Sequence, residues 1–170
     1  MEKTLEVIED LLKKGLVKKY AIGGGIAAIF YIESILTYDI DIFFIPAEKD
    51  RSLLTLSPIY EYLKERGCQP EKEYVVIKGI PVQFLPVFNE LVEEAVDKAV
   101  PTLYKDIETK VMKLEYLIAI MLQTNRPKDR ERIVKALNEG KIDNALLNKI
   151  LNKFELNKRL ERIMEMYDGD

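Results

Sequence analysis

The chain has 170 residues, the length of one compact domain, with 48% hydrophobic and 32% charged residues and a formal charge of -3. The near balance of 26 Lys+Arg against 29 Asp+Glu argues against a protein built to coat nucleic acid or an anionic membrane. It contains no His and one Cys, Cys68. That removes Ser-His-Asp and Cys-His nucleophile systems, an imidazole base, an internal disulfide and a cysteine-rich zinc site.

Carboxylates, lysines, hydroxyls and backbone groups must therefore carry any chemistry. The longest uncharged segment, 20–32, falls short of the roughly 20 residues a membrane-spanning helix needs. The chain opens with Glu2, Lys3 and Glu6, unlike an export signal. A cytoplasmic, reduced location is the expectation.

In chain order, Leu5, Ile8, Leu11, Leu12 and Leu16 fall at helical spacing and predict an amphipathic helix over 2–16. Tyr20-Ala21-Ile22 is a short apolar run that stops at Gly23-Gly24-Gly25, and the next helix is expected over 26–34. Residues 39–45 alternate at first and then become continuously apolar until Pro46. This reads as a strand with one wet end and one buried end. Ser57 and Pro58 fit the N-cap and first residue of a helix to Arg66, stopped by Gly67. Residues 74–77 and 82–87, joined by Lys78-Gly79-Ile80-Pro81, predict a hairpin. Asn89 can cap a helix over 90–98, and one further strand is expected over 103–107. Helices follow over 114–124, 127–138, 144–153 and 155–166.

The fold class is thus α+β, with a core at 1–110 and a C-terminal helical extension at 111–170. The chain is acidic on balance before Arg126 and basic after it, which suits an anionic substrate held between the two parts.

The segment from Tyr20 to Phe44 carries the chemistry. A strand ends in three glycines, a helix follows, and the next strand opens with Asp39-x-Asp41. On a strand, residues i and i+2 share a face about 6.6 Å apart. Two carboxylates so placed can share a hard cation such as Mg²⁺, which takes oxygen ligands together with substrate phosphates. Gly23 and Gly24 allow close backbone approach to a phosphate. A glycine turn beside a carboxylate pair is apparatus suited to phosphoryl transfer.

This arrangement, strand-Gly-Gly-helix-x-Thr37-x-Asp39-x-Asp41, resembles the polymerase-β-type nucleotidyltransferase superfamily. It is most similar to small prokaryotic members related to abortive-infection and toxin–antitoxin nucleotidyltransferases. A second likeness lies in Val111 to Ala119 followed by Asn125-Arg126-Pro127-Lys128-Asp129-Arg130, which resembles that group's helix pair with its Arg-x-Lys-Asp signature. The resemblance implies a nucleotidyltransferase fold, a mixed sheet flanked by helices. It also implies Mg²⁺-dependent transfer from a nucleoside triphosphate, with a protein or RNA acceptor and an antitoxin-like partner. Asp39 and Asp41 would be the metal ligands and catalytic carboxylates. Gly23, Gly24, Thr37 and Lys128 would contact the nucleotide, Lys128 as a point charge on the phosphates.

The chain departs from that pattern at three positions. Gln83 stands where relatives place a third carboxylate, Ile35 where they carry an Arg, and Met121 where they carry a Lys. Two alternatives follow. One is a nucleotidyltransferase fold without turnover, acting as a binding module. The other is a dinucleotide-binding unit, since Gly23-x-Gly25-x-x-Ala28 satisfies G-x-G-x-x-A with Asp41 near the spacing of a ribose-binding acid.

Overall fold

A computed structural model describes residues 1–33, 36–47 and 56–167. Among them, a seven-stranded mixed sheet in the order β3-β4-β5-β2-β1-β7-β6 forms the centre. Its strands are β1 (Val17–Gly23), β2 (Ile40–Pro46), β3 (Gln69–Glu71), β4 (Tyr74–Ile77), β5 (Ile80–Pro86), β6 (Val100–Tyr104) and β7 (Ile107–Val111). The helices are α1 (Glu2–Lys13), α2 (Gly24–Ile29), α3 (Ser57–Glu65), α4 (Glu90–Asp97), α5 (Leu114–Thr124), α6 (Pro127–Glu139), α7 (Asn144–Lys153) and α8 (Asn157–Tyr167). The expected α+β class with C-terminal helices is what the chain adopts.

β1 and β2 are antiparallel, with Gly23 opposite Asp41 and Ala21 opposite Phe43. β2 and β5 are parallel, with Asp41 level with Gln83 and Phe43 level with Leu85. β1 runs parallel to β7. The antiparallel β1–β2 pair corrects the dinucleotide-binding alternative, because the first two strands of that unit run parallel and are joined by a crossover helix.

Several boundaries differ from expectation. β1 starts at Val17, three residues before the apolar run. α2 stops at Ile29, well before the expected end at Ser34, which lies outside the described residues. Leu56, not Ser57, precedes the first residue of α3. The single strand expected over 103–107 is instead the β6–β7 hairpin, turning at Lys105-Asp106. β3 has no counterpart in the sequence reading. Asn89 does cap α4: its side chain accepts the Val92 N–H at 2.9 Å.

One continuous core joins sheet and helices. Ile40, Ile42 and Phe44 of β2 are buried together with Leu5, Ile8 and Leu11 of α1 and with Leu114, Tyr116 and Ile118 of α5. Two buried polar groups of the core find partners: Thr4 donates to the Ile77 carbonyl at 3.1 Å, and the Tyr20 hydroxyl meets Thr109 Oγ1 at 2.9 Å and Glu9. The buried Tyr62 hydroxyl has none among the described residues. Among the described residues, no helix is long and apolar enough to cross a membrane.

Both edges of the sheet carry a proline. Met112 gives its N–H to the Ile22 carbonyl, so the alternate β7 residues Ile107, Thr109 and Val111 turn their backbone toward β6. Their partners are Tyr104, Thr102 and Val100, which leaves Pro101 and Leu103 with backbone groups facing outward. The same alternation, counted from the Lys72-Glu73 turn, points Pro70 of β3 outward. Proline has no N–H to offer there.

Candidate functional site

The glycines at the β1–α2 junction are required by what packs on them. Gly24 adopts φ +58, and a Cβ built there would lie 1.8 Å from Asp41 Oδ2. Only a residue without a side chain leaves room for that carboxylate. A Cβ on Gly23 would meet the Phe43 ring at 2.5 Å, and one on Gly25 would meet Thr37 Cβ at 2.8 Å. The three glycines thus bring β1, the Thr37–Asp39 segment and the head of β2 into one small volume.

Thr37 Oγ1 donates to Asp39 Oδ1 at 3.0 Å, which ties the approach segment to the first carboxylate. Asp41 is half-buried at the second position of β2. Burial and the neighbouring Asp39 charge raise its carboxyl to about 6, against the opposing pull of Arg126, Lys128 and Arg132. Gln83 stands level with Asp41 on the parallel strand β5, so both side chains leave the sheet on the same face. Tyr74 of β4 also senses the two carboxylates: burial first, then the Asp39 and Asp41 charges among others, raise its phenol.

The opposite wall comes from α5 and α6. A cavity of about 260 Å³ is lined by Gly24, Asp41 and Gln83 on the sheet side and by Thr124, Arg126 and Arg132 across from them. Phe43, Leu85, Phe88 and Met112, which follows β7 and packs beside the Phe43 ring over Gly23, continue the sheet side, while Leu117, Ile120 and Met121 of α5 face them. The site is therefore ionic at one end and apolar at the other. Asp129, 1% exposed, sits beneath the ionic end. Arg126 Nε donates to it at 2.6 Å, and Arg132 approaches at 3.7 Å.

Asp39, Asp41, Gly23, Gly24, Thr37 and Gln83 thus gather at one corner. Lys128 is exposed and does not line the cavity, although its charge reaches Asp41. Met121 lines the cavity as an apolar residue, and Ile35 lies outside the described residues. Sequence reasoning passed over Arg132 as a cavity residue. A signal was available: Arg126, Asp129 and Arg132 recur at i, i+3 and i+6, which puts them on one helix face. Phe88 and Met112 carried no such signal, since apolar residues are ordinarily core.

The donor set suits a hard cation. Asp39, Asp41 and the Gln83 carbonyl all offer oxygen, and Mg²⁺ binds through one or two carboxylates plus substrate phosphates. Among the described residues, no group of three or more His, Cys, Asp or Glu side chains gathers to hold a metal.

No protein-family model matches the chain, and no curated protein matches it in sequence. Solved structures do match its fold. A nucleotidyltransferase-like antigenic protein from Paracoccidioides brasiliensis aligns with a TM-score of 0.56 at 14% identity, over 96% of this chain and 93% of that one. ANT(2")-Ia in complex with adenylyl-2"-tobramycin aligns at 0.47 and 12% identity, over 98% and 95%. CdnC from E. coli MS115-1 with ATP aligns at 0.38 and 15% identity, over 81% and 48%. The first of these likenesses shows that the chain has a nucleotidyltransferase fold.

Proposed function

We propose that this nucleotidyltransferase-fold protein binds a Mg²⁺–nucleoside triphosphate in the cavity between β2–β5 and α5–α6, and transfers the nucleotidyl group to a hydroxyl on a protein or RNA acceptor. The observation that carries this reading is the pairing of the Asp41–Gln83 rung with Arg126 and Arg132 across the same cavity. One wall can hold a cation, and the other is cationic itself. A polyphosphate satisfies both, because its oxygens ligate metal and accept guanidinium hydrogen bonds.

Each residue then has a task. Asp39 and Asp41 would hold Mg²⁺, which when bound supplies charge neutralisation on the phosphate oxygens. Gly23 and Gly24 let the phosphates approach the backbone. Thr37 orients Asp39 through its hydrogen bond. Arg126, anchored on Asp129, and Arg132 steady the phosphates, with Lys128 adding field from the exposed side. In the transfer, an acceptor hydroxyl oxygen bonds to the α-phosphorus as the bond to pyrophosphate breaks, and the hydroxyl proton passes to solvent water. Gln83 can accept that hydroxyl's hydrogen bond but cannot take its proton.

Gln83 therefore favours a second reading, a protein that binds Mg²⁺–nucleotide without turnover and acts through a partner, including one of antitoxin type. Two measurements test the pair. Mg²⁺-dependent ATP binding by calorimetry should be lost in the Asp39→Ala plus Asp41→Ala double variant; unchanged binding would overturn the site. Incubation with α-phosphate-labelled triphosphates and acceptor extracts then separates the readings. Label transfer by the native chain supports the enzyme. Transfer only after Gln83→Asp supports the binding module.

A further inference from the structure

The cavity changes character along the β2–β5 pair. The Asp41–Gln83 rung is followed on the same face, about 6.6–7 Å along the strands, by the Phe43–Leu85 rung. Beyond it Phe88 closes the sheet side, with its ring 58% exposed although it lines the cavity. An exposed aromatic side chain at the mouth of an apolar slot is a surface waiting for a flat apolar partner. Leu117 and Met121 of α5 supply the facing wall, and thioether sulfur packs well against aromatic rings.

Thr124 Oγ1 donates to the Ile120 carbonyl at 3.0 Å, Asp129 is held by Arg126, and Asp41 and Gln83 belong to the ionic rung. Among the described residues, no side chain on the apolar rungs can read the hydrogen-bonding edge of a heterocycle.

We propose that Phe43, Leu85 and Phe88, facing Leu117 and Met121, form a nucleobase shelf that holds purines and pyrimidines alike by stacking, so that the protein selects the triphosphate and not the base. This rests on the nucleotide reading above. Stacking is sequence-tolerant because every base has a π-face. A site that hydrogen-bonded one base would instead reject the others by orders of magnitude.

The test uses five probes, each with Mg²⁺: ATP, GTP, CTP, UTP and inorganic tripolyphosphate. Titration calorimetry on the native chain should show tripolyphosphate binding. All four nucleotides should bind tighter than it and within about fivefold of one another, no more than one neutral hydrogen bond gives. Phe88→Ala should weaken every nucleotide by about tenfold and leave tripolyphosphate unchanged; Phe88→Trp should restore or tighten the nucleotides. Because Phe88 is largely exposed, neither variant threatens folding.

A single strongly preferred base would overturn the shelf, as would nucleotides no tighter than tripolyphosphate, or a Phe88→Ala loss shared by tripolyphosphate. In all three cases the phosphate site would stand. Failure of every probe, tripolyphosphate included, would overturn the nucleotide reading and the shelf with it.

Discussion

Gly24 and Asp41 compete for the same volume, and the carboxylate has it. Adding a methyl group at Gly24 places carbon 1.8 Å from Asp41 Oδ2 on a backbone with φ +58, so Gly24→Ala faces both a clash and a left-handed strain. The expected outcome is a loss of about 1–3 kcal/mol in urea unfolding, together with loss of Mg²⁺-dependent nucleotide binding as Asp41 is pushed aside. Gly15→Ala is the control: it has φ +70 and open space around it, so it should show the strain alone and bind normally. Asp41 itself is a liability to the empty fold. Its carboxyl is raised from 3.8 to about 6, chiefly by burial and then by Asp39. The folded state therefore holds a proton that the unfolded chain has released, and stability falls as pH rises from about 4 to about 6. Asp41→Asn should flatten that fall and stabilise the metal-free protein at pH 7 by about 1 kcal/mol, discounted for partial exposure. Thermal melts in EDTA across that range check it; an unchanged slope would refute it.

At the scale of elements, local rules located what local rules govern. The capping Asn89 and the Pro127 start of α6 were legible because each acts through its own neighbourhood. The β4–β5 hairpin was legible too, but its turn is only Lys78-Gly79, both with positive φ, and β5 begins at Ile80 instead of the expected residue 82. The glycine turn and Asp39-x-Asp41 were legible because the residue types are unusual at that spacing. β1 was half hidden: a register shift between Val17 and Lys19 breaks the period of two on which strand recognition depends. β3 was invisible, since all three residues are exposed and lack an apolar face. The β6–β7 hairpin was read as one strand because Lys105 adopts φ 54 without the Asn-Gly or Asp-Gly signal such turns favour. Spacing puts Arg132 on the same face as Asp129, but that this face lines the cavity follows only from the way α6 packs on α5. The edge strands carry a prediction at this scale. Pro101 removes an outward donor from β6, whose Leu103 is 68% exposed. Pro101→Thr restores a hydrogen-bonding edge beside an apolar side chain, and concentration-dependent self-association should appear in sedimentation velocity. A strictly monomer-like boundary at all concentrations, matching the native chain, would refute it.

Across the whole molecule, the division at residue 110 is one of sequence pattern and chain order. The core runs through it: Leu114, Tyr116 and Ile118 lie among the sheet residues. Tyr116 donates to Glu94 at 2.7 Å, while Lys153 bridges Glu90 and Glu94 at 2.8 and 2.5 Å. We expect the chain to unfold in a single transition, with far-UV circular dichroism and tyrosine fluorescence coinciding in urea, and the fragment 1–110 to remain unfolded alone. Two separated transitions would show independent parts. The pairing of β1 with β7 has a further consequence, in time. The β2–β5 side of the cavity is complete once Phe88 has been made, but the rest waits for Met112 through Arg132. At ~5–20 residues per second of synthesis, a growing chain spends seconds with its carboxylates displayed and no opposing arginines. On the proposed nucleotide reading, capture would wait until Arg132 has been made, and a chain interrupted before it would carry the acids without the opposing arginines.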